Sequence, residues 1–313
     1  MLILTSYVNP KIMKTSKLTL VLAFLIISAQ AFGQGYAFKV LANKGSNEVK
    51  TGDTWQPLKT GATLKSTDEL KITDNSYVGL VHSSGKPMEL KQADTYQVSK
   101  LEAQVGKGTS VLNKYTDFIL SSNSAEAKKN RLSATGAVSR DLTTTPVPIQ
   151  IMLPENQHSG IYNTAAVISW ESNKVPGPYV VTINNMFGEE LAKVETPESL
   201  LRVDLTDPKF VNENAVLVMV SSKADPSKKS VEKLIKKLSP ADQEKIKVSL
   251  GEIMGEVAEQ TALNKFILAG FYEENYLFID AVAAYEEAIR LAPDVPSYQE
   301  AYEDFLIRHG MKR

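Results

Sequence analysis

The chain of 313 residues contains no cysteine, and this absence limits what it can fold into more than any other feature. Disulfides, thiolate nucleophiles, cysteine-bound zinc, iron–sulfur clusters and lipid attachment at an N-terminal cysteine are all excluded. This length corresponds to about two or three domains, and each of them must be held together by an apolar core alone. The 35 basic and 36 acidic side chains nearly cancel, so no positive field favours nucleic acid as a partner.

The N-terminus has the three parts of a secretory signal peptide. Three lysines precede an apolar run over residues 18–27, which ends at Ala29-Gln30-Ala31. The run is shorter than the roughly 20 apolar residues that a membrane span needs, and an uncleaved membrane anchor is the alternative. We expect residues 1–31 to be a signal peptide that is cleaved before Phe32, with Met13 as an alternative start.

Cleavage would give a periplasmic or secreted protein of a Gram-negative-type envelope, without a stable membrane span. Its net charge would be −4, because the segment removes three lysines from a chain of net charge −1.

Residues 36–100 are predicted to form an all-β module. Short apolar runs alternate with turn signals such as Asn43-Lys44-Gly45 and Ser84-Gly85-Lys86, which is typical of small antiparallel sheets. The predicted strands are Tyr36–Leu41, Glu69–Ile72, Tyr77–His82, Met88–Leu90 and Tyr96–Val98.

This module resembles a FecR-type domain. The resemblance rests on the run from Val49 to Leu70, with W-x-x-L-x-x-G-x-x-L spacing from Trp55, and on the segments 76–80 and 85–90. FecR-type domains lie in the periplasm, and the founding kind relays a signal from an outer-membrane receptor to a cytoplasmic sigma factor. The resemblance therefore implies a periplasmic β module. No anti-sigma segment precedes the apolar run, so direct sigma-factor control is not implied.

Residues 101–148 are predicted to be a helical bridge followed by a linker. Apolar side chains recur at helical spacing between Thr109 and Ser122, and a second short helix is indicated from Ser124 to about Ser133. Residues 134–148 are polar and rich in Thr and Pro, as linkers are.

Residues 149–222 predict a β-sandwich, because short strands are separated by loops rich in Pro, Gly and Asn. Ile168-Ser169-Trp170, followed by the Tyr179–Ile183 alternation, resembles a fibronectin type III or immunoglobulin-like fold. Trp170 is expected in the core, with a sugar-stacking surface as the alternative. The predicted strands are Ile149–Leu153, Ala166–Trp170, Tyr179–Asn184, Leu191–Val194, Leu201–Leu205 and Val216–Ser221.

Residues 228–313 predict a helical module, so the expected fold class is multidomain, mainly β and then α. Ser239-Pro240-Ala241-Asp242 combines an N-cap, a first-turn proline and an acid at the positive end of the helix dipole. It indicates a helix that runs to about Thr261.

The segment from about residue 262 to 309 resembles a tetratricopeptide repeat, a helix–turn–helix unit of about 34 residues. The hallmark positions hold Leu268, Ala269, Tyr272, Ala281, Tyr285, Ala288 and Pro293. One such unit cannot bury its own apolar face, so neighbouring helices, including a last one over Tyr298–His309, must cover it.

This resemblance implies a concave groove that binds a partner. Phe266, Gly270 and Glu273 of the first helix, with Glu300 and Asp304 of the last helix, are the candidate partner-binding residues. The alternative is that Phe266 belongs to the core and that the acids form a solvated face. On the groove interpretation, Glu273→Lys should leave the stability unchanged within about 0.5 kcal/mol.

No arrangement of residues indicates catalysis. Fragments of the motifs of penicillin-binding enzymes occur, with K-T-G at Lys50 and S-x-x-K at Ser83, but their order along the chain is wrong. The three histidines fall in three different modules. We therefore expect neither an enzyme nor a bound cofactor or metal.

The preferred function is a non-enzymatic envelope protein that acts as a protein-binding scaffold or adaptor through its β modules and its helical repeat. Envelope proteins of unknown identity are its expected partners. The alternatives are a periplasmic sensor or signal-relay protein of FecR type, and a binder of cell-wall polysaccharide that uses Trp55 or Trp170.

Overall fold

The computed structural model describes residues 35–106, 111–129 and 147–312. The predicted signal peptide, most of the predicted linker and the end of the second bridge helix lie outside these residues. Within them, sheets come first and the main helices last, which confirms the expected order of mainly β followed by α.

Two four-stranded antiparallel sheets form the first module. Their strand orders are β4-β1-β6-β7 and β3-β2-β5-β8, and a short helix, α1 (Val98–Gln104), follows the last strand. Gly52, with φ +67°, allows the two-residue turn between β2 and β3. The strands are β1 Phe38–Lys44, β2 Glu48–Thr51, β3 Thr54–Pro57, β4 Thr63–Leu64, β5 Glu69–Ile72, β6 Tyr77–His82, β7 Pro87–Leu90 and β8 Asp94–Gln97.

The five strands predicted for this module are present, and β2, β3 and β4 are additional. These three are short and mostly polar, so alternation of apolar residues could not reveal them. Inward-facing residues of both sheets, such as Phe38, Leu64, Leu70 and Val78, form one apolar core.

The bridge contains a helix, α2 (Leu112–Ser122), as the apolar spacing predicts. Leu112, Tyr115 and Ile119 are buried on one side of it. Residues 125–129 are also helical.

Two sheets form the second module and resemble a sandwich. One has the order β12-β11-β14-β15-β9, antiparallel except for the β15–β9 pair, and the other pairs β10 with β13. Buried residues of both sheets, including Ile168, Tyr179, Val181 and Val218, form a common core. The strands are β9 Gly160–Ile161, β10 Ala165–Ser169, β11 Tyr179–Asn184, β12 Glu190–Thr196, β13 Leu200–Asp204, β14 Ala215–Ser222 and β15 Lys233–Lys237.

Strand β15 extends this module beyond residue 222, where the sequence places its end. It pairs with β14 from Lys236 opposite Ala215 to Lys233 opposite Val218. Lys233 is buried and forms an ion pair with Glu155 at 3.0 Å. From the sequence, this segment is predicted to belong to the helical module. Three lysines in five residues do not indicate a buried strand, since the burial of Lys233 depends on a distant carboxylate.

The predicted strand Ile149–Leu153 is not formed as a strand. Ile149, Ile151 and Leu153 are buried, as an alternating pattern requires. Their backbone, however, makes only a single bridge, between Ile151 and Trp170. Proline precedes and follows the segment, and neither proline can donate a ladder hydrogen bond.

Four helices follow: α3 Pro240–Val257, α4 Ala262–Glu274, α5 Phe278–Leu291 and α6 Pro296–Arg308. The side chain of Ser239 accepts a hydrogen bond from the backbone N–H of Asp242, so the predicted N-cap of α3 is confirmed. Thr261 caps α4 in the same way. The helical region therefore begins at Pro240 and not at residue 228.

The helices share apolar clusters with both β modules. Leu41 and Tyr77 of the first module belong to the same buried cluster as α2, α4, α5 and α6. Ile279 of α5 belongs to the core of the sandwich. The helices are thus the common neighbour of the two β modules.

Polar contacts fix the helices to the sheets. Both carboxylate oxygens of Asp280 accept backbone hydrogen bonds, from the N–H groups of Tyr162 and Asn163, each at 2.8 Å. On the other side, Glu89 of β7 accepts a hydrogen bond from the N–H of Leu263 at 2.9 Å. Burial raises the pKa of Asp280 to about 6, although the two backbone donors favour its charged form.

The raised pKa of Asp280 predicts a pH dependence of stability. An aspartate in an unfolded chain has a pKa of about 3.9, so the folded state binds more protons between that pH and about 6. Stability therefore falls as the pH rises through this window. We expect the free energy of unfolding of the parent to fall, relative to Asp280→Asn, by about 2–3 kcal/mol between about pH 4 and pH 7.

Urea unfolding of both proteins at the two pH values measures this difference. The exposed Asp74 supplies the control: Asp74→Asn retains Asp280, so its stability should change with pH as that of the parent does. A parent–variant difference that is the same at both pH values would contradict the raised pKa.

Candidate functional site

The residues predicted to line a groove on α4 are buried in the structure. Phe266 is 2% exposed and Glu273 is 4% exposed. Helix α2 covers this side of α4, and a Cβ added to Gly270 would lie 2.6 Å from the side chain of Ile119. Gly270 is therefore a close-packing position between two helices. Glu273 is enclosed by its neighbours, and Phe266 exposes only an edge to a cleft that it shares with Glu300, so neither offers the open groove surface that was expected. Their partner-binding role stays a prediction.

Glu273 instead joins α4, α5 and the end of α6 through its carboxylate. Its Oε1 accepts hydrogen bonds from Arg308 Nη2 at 2.7 Å and from His309 Nε2 at 2.9 Å. Its Oε2 accepts from the hydroxyl of Tyr285 at 3.2 Å. Burial alone would raise the pKa of Glu273, but the His309 hydrogen bond and the Arg308 charge outweigh it and hold the pKa below its ordinary value.

Glu300 lies on α6 at the rim of a cleft, and Asp304 lies one turn further along the same helix. Lys128 Nζ is 3.7 Å from Glu300 Oε2 and 3.0 Å from Asp304 Oδ2. The Glu300 side chain is 65% exposed. The cleft has a volume of about 370 Å³ and also contains Leu41 and Phe266 in its wall. A partner-binding role for Glu300 and Asp304 stays a prediction.

The two tryptophans occupy different environments. Trp170 is 2% exposed and its ring packs edge-on against Tyr179 with centroids 5.2 Å apart, so its expected place in the core is confirmed. Trp55 is partly exposed on β3, opposite Lys50 of β2.

The three histidines contact different groups, although two of them share a neighbour. His82 Nδ1 lies 2.7 Å from Ser84 Oγ in the first module. His158 and His309 pack on Phe278, with ring centroids 4.8 and 4.0 Å from it. Within the described ranges, no three His, Asp or Glu side chains come together as a metal-binding group would.

Among the described residues, the most exposed large apolar side chain, Phe187, lies at the tip of the β11–β12 hairpin, next to the exposed Met186. Phe187 is 90% exposed and Met186 is 52% exposed. The sequence indicates a loop here from Asn184-Asn185, but exposure of a phenylalanine has no signature in a single sequence. These residues were therefore missed.

Side-chain hydrogen bonds order this tip. Asn185 Oδ1 accepts from the backbone N–H groups of Phe187 at 2.9 Å and Glu189 at 3.0 Å. Asn185 Nδ2 donates to Glu189 Oε2 at 2.7 Å. Gly188 adopts φ +86°, which a side chain would strain. The tip is thus a defined turn that presents Met186 and Phe187 to solvent.

In comparisons with known proteins, no family model and no curated protein matches this chain. None of the helices in the described part of the chain is long and apolar enough to cross a membrane.

Because Glu273 is buried and hydrogen-bonded, replacing it should destabilise the fold far more than replacing a solvated acid would. Glu273→Ala would leave Arg308 and the Tyr285 hydroxyl without their buried partner. We expect a loss of about 3–5 kcal/mol in the free energy of unfolding. Glu300→Ala, at an exposed carboxylate of α6, should stay within about 0.5 kcal/mol of the parent. Urea unfolding measures both, and equal stabilities of the two variants would contradict the buried network.

Proposed function

We propose that this chain is an exported, non-enzymatic adaptor of a Gram-negative-type envelope, which binds a protein partner through the hairpin tip Met186–Phe187. One observation carries the proposal: Phe187 is 90% exposed on a turn that is itself ordered. Covering a large aromatic side chain with a partner removes its apolar surface from water, which is favourable. Aromatic anchors of this kind supply most of the binding energy in protein interfaces.

The shape of the tip suits insertion into a pocket of the partner. Two apolar side chains project from a hairpin end, and Glu189 and Glu190 follow them directly. Acidic flanks disfavour contact with an anionic membrane surface, which attracts basic segments instead. An apolar pocket with a basic rim is the matching surface on a partner protein.

The FecR-type resemblance is part of this proposal and has physical support. In the W-x-x-L-x-x-G-x-x-L spacing, Leu58 and Leu64 are buried and Gly61 adopts φ +85°. Asp68 Oδ2 accepts a hydrogen bond from the N–H of Lys65 at 2.8 Å and so closes the next turn. The pattern thus consists of two core positions and the turns that connect them.

The tetratricopeptide-like resemblance has similar support. Ala269 and Ala281 are 0% exposed where α4 and α5 pack together, and Tyr285 is 0% exposed between α4 and α6. Because α2 fills the side of α4 where a groove was expected, we propose that this hairpin connects the modules. Partner binding is then the role of the β modules.

The test is site-specific cross-linking in the envelope of the source cell. A photo-reactive phenylalanine analogue at position 187 should give a discrete cross-linked species, and the same analogue at Val248, a 59% exposed position on α3, should not. Phe187→Asp should reduce recovery of that species in affinity capture at least tenfold, roughly the effect of losing an aromatic anchor. Its stability should stay within about 0.5 kcal/mol of the parent.

Two results would overturn the adaptor proposal. One is the same pattern of cross-links from positions 187 and 248. The other is undiminished capture of the partner by Phe187→Asp.

A further inference from the structure

The second sheet of the first module has a solvent-facing side of unusual composition. In this sheet, Val49, Leu70 and Ile72 face or border the core, so the alternate residues of each strand face outward. This outer face consists of Trp55 and Pro57 on β3, Lys50 and Glu48 on β2, Glu69 and Lys71 on β5, and Gln97 and Thr95 on β8.

Trp55 lies at one end of a cross-strand row. Lys50 is its direct partner across β2 and β3, Glu69 is opposite Lys50, and Gln97 is opposite Glu69. Four adjacent strands span about 14 Å at their usual spacing. An extended ligand lying across the strands would meet the indole first and three polar side chains after it.

Two ammonium groups lie close to the indole ring. The Nζ atoms of Lys50 and Lys71 each lie 5.9 Å from the ring centroid. Lys71 also reaches Glu48 at 3.4 Å. Trp55 is partly exposed and is absent from the side chains that pack on the module's core. It is therefore a partly exposed aromatic surface that the two ammonium groups border.

The polar part of the row has unused hydrogen-bonding capacity. Among the described residues, the side chains of Lys50, Glu69 and Gln97 have no hydrogen-bond or ion-pair partner. Beyond Gln97, the row continues into a cleft of about 290 Å³, where Glu69 and Gln97 are joined by Lys100 and Gln104 of α1. Amide, carboxylate and ammonium groups thus converge at the end opposite Trp55.

This chemistry selects among classes of ligand. A sugar ring offers a C–H face that stacks on an indole and hydroxyls that exchange hydrogen bonds with amide and charged side chains. The face carries two cations and two carboxylates, so it has no net attraction for a polyanion. Only Trp55 and Pro57 on it are apolar, which is too little for an apolar peptide surface.

We propose that the outer face binds an uncharged polysaccharide, with Trp55 stacking on one sugar unit. Lys50, Glu69 and Gln97 then hydrogen-bond to the following units. The proposal assigns the predicted polysaccharide alternative to Trp55, because Trp170 is in the core. It concerns another module than the hairpin tip, so its failure and that of the adaptor proposal are independent.

Intrinsic fluorescence provides a direct test, since the chain has two tryptophans and Trp170 is buried. With the chain from Phe32 onward, chitotetraose or cellotetraose should protect Trp55 from quenching by acrylamide. The two probes together show whether the amide of an amino sugar is recognised. Insoluble chitin or cellulose should co-sediment with the same protein.

Three variants define the outcome. Trp55→Ala should weaken binding to the best of these saccharides at least tenfold, roughly as for loss of an aromatic anchor. Gln97→Ala, at an exposed position without partners, should also weaken it and keeps the test valid if Trp55→Ala does not fold. Val248→Ala, at an exposed position on α3, should bind like the parent.

Protection of Trp55 by neither oligosaccharide, together with no sedimentation with chitin or cellulose, would overturn the proposal. So would binding by Trp55→Ala and Gln97→Ala at parental strength, or retention on heparin but on no uncharged saccharide.

Discussion

Helix α4 is apolar on nearly every side, and the rest of the fold depends on how those sides are covered. All its residues except Lys265 and Glu274 are buried. A helix of this kind is stable in water only when neighbours surround it. In a repeat array, further repeats do this. Here α5, α2 and the first β module do it instead, which explains how one helical hairpin is stable without a stack of copies.

The polar groups inside these contacts show how local partners decide the state of a buried acid. Asp280 and Glu273 are both almost completely buried, yet burial raises the pKa of Asp280 to about 6 while that of Glu273 lies below its ordinary value. Asp280 has only neutral backbone donors, whereas Glu273 has Arg308 and His309. A charged partner compensates for lost hydration better than neutral dipoles do.

The parts of the fold that depend on local pattern could be predicted from the sequence. The alternation over Tyr179–Asn184 and the N-cap at Ser239 involve only neighbouring residues, and both were found where predicted. Strand β15 was missed because Lys233 is buried through an ion pair with a residue far away in the sequence.

The candidate site was harder to predict, for the same reason. No residue close to Glu273 in the sequence indicates that Arg308 contacts it. An acidic residue on a predicted helix is therefore expected to face solvent. Gly270 was expected to open a groove, but a missing side chain equally allows a helix to approach. Conversely, the exposure of Phe187 depends on no other element covering the hairpin tip, which is a property of the whole fold.

The two proposed surfaces belong to different β modules, and this gives the helices a function beyond stability. Their shared clusters tie each β module to the same hairpin, with Leu41 and Tyr77 on one side and Ile279 on the other. A connection through packed side chains holds two binding surfaces at a set separation, whereas a flexible linker allows many different separations.

If the Trp55 face holds a wall polysaccharide, Phe187 is presented at a restricted distance from it. Binding of the protein partner then costs less orientational entropy than it would for a freely tethered module. Because the chain has no cysteine, no disulfide can join the two β modules, and the buried hairpin supplies the connection between them instead.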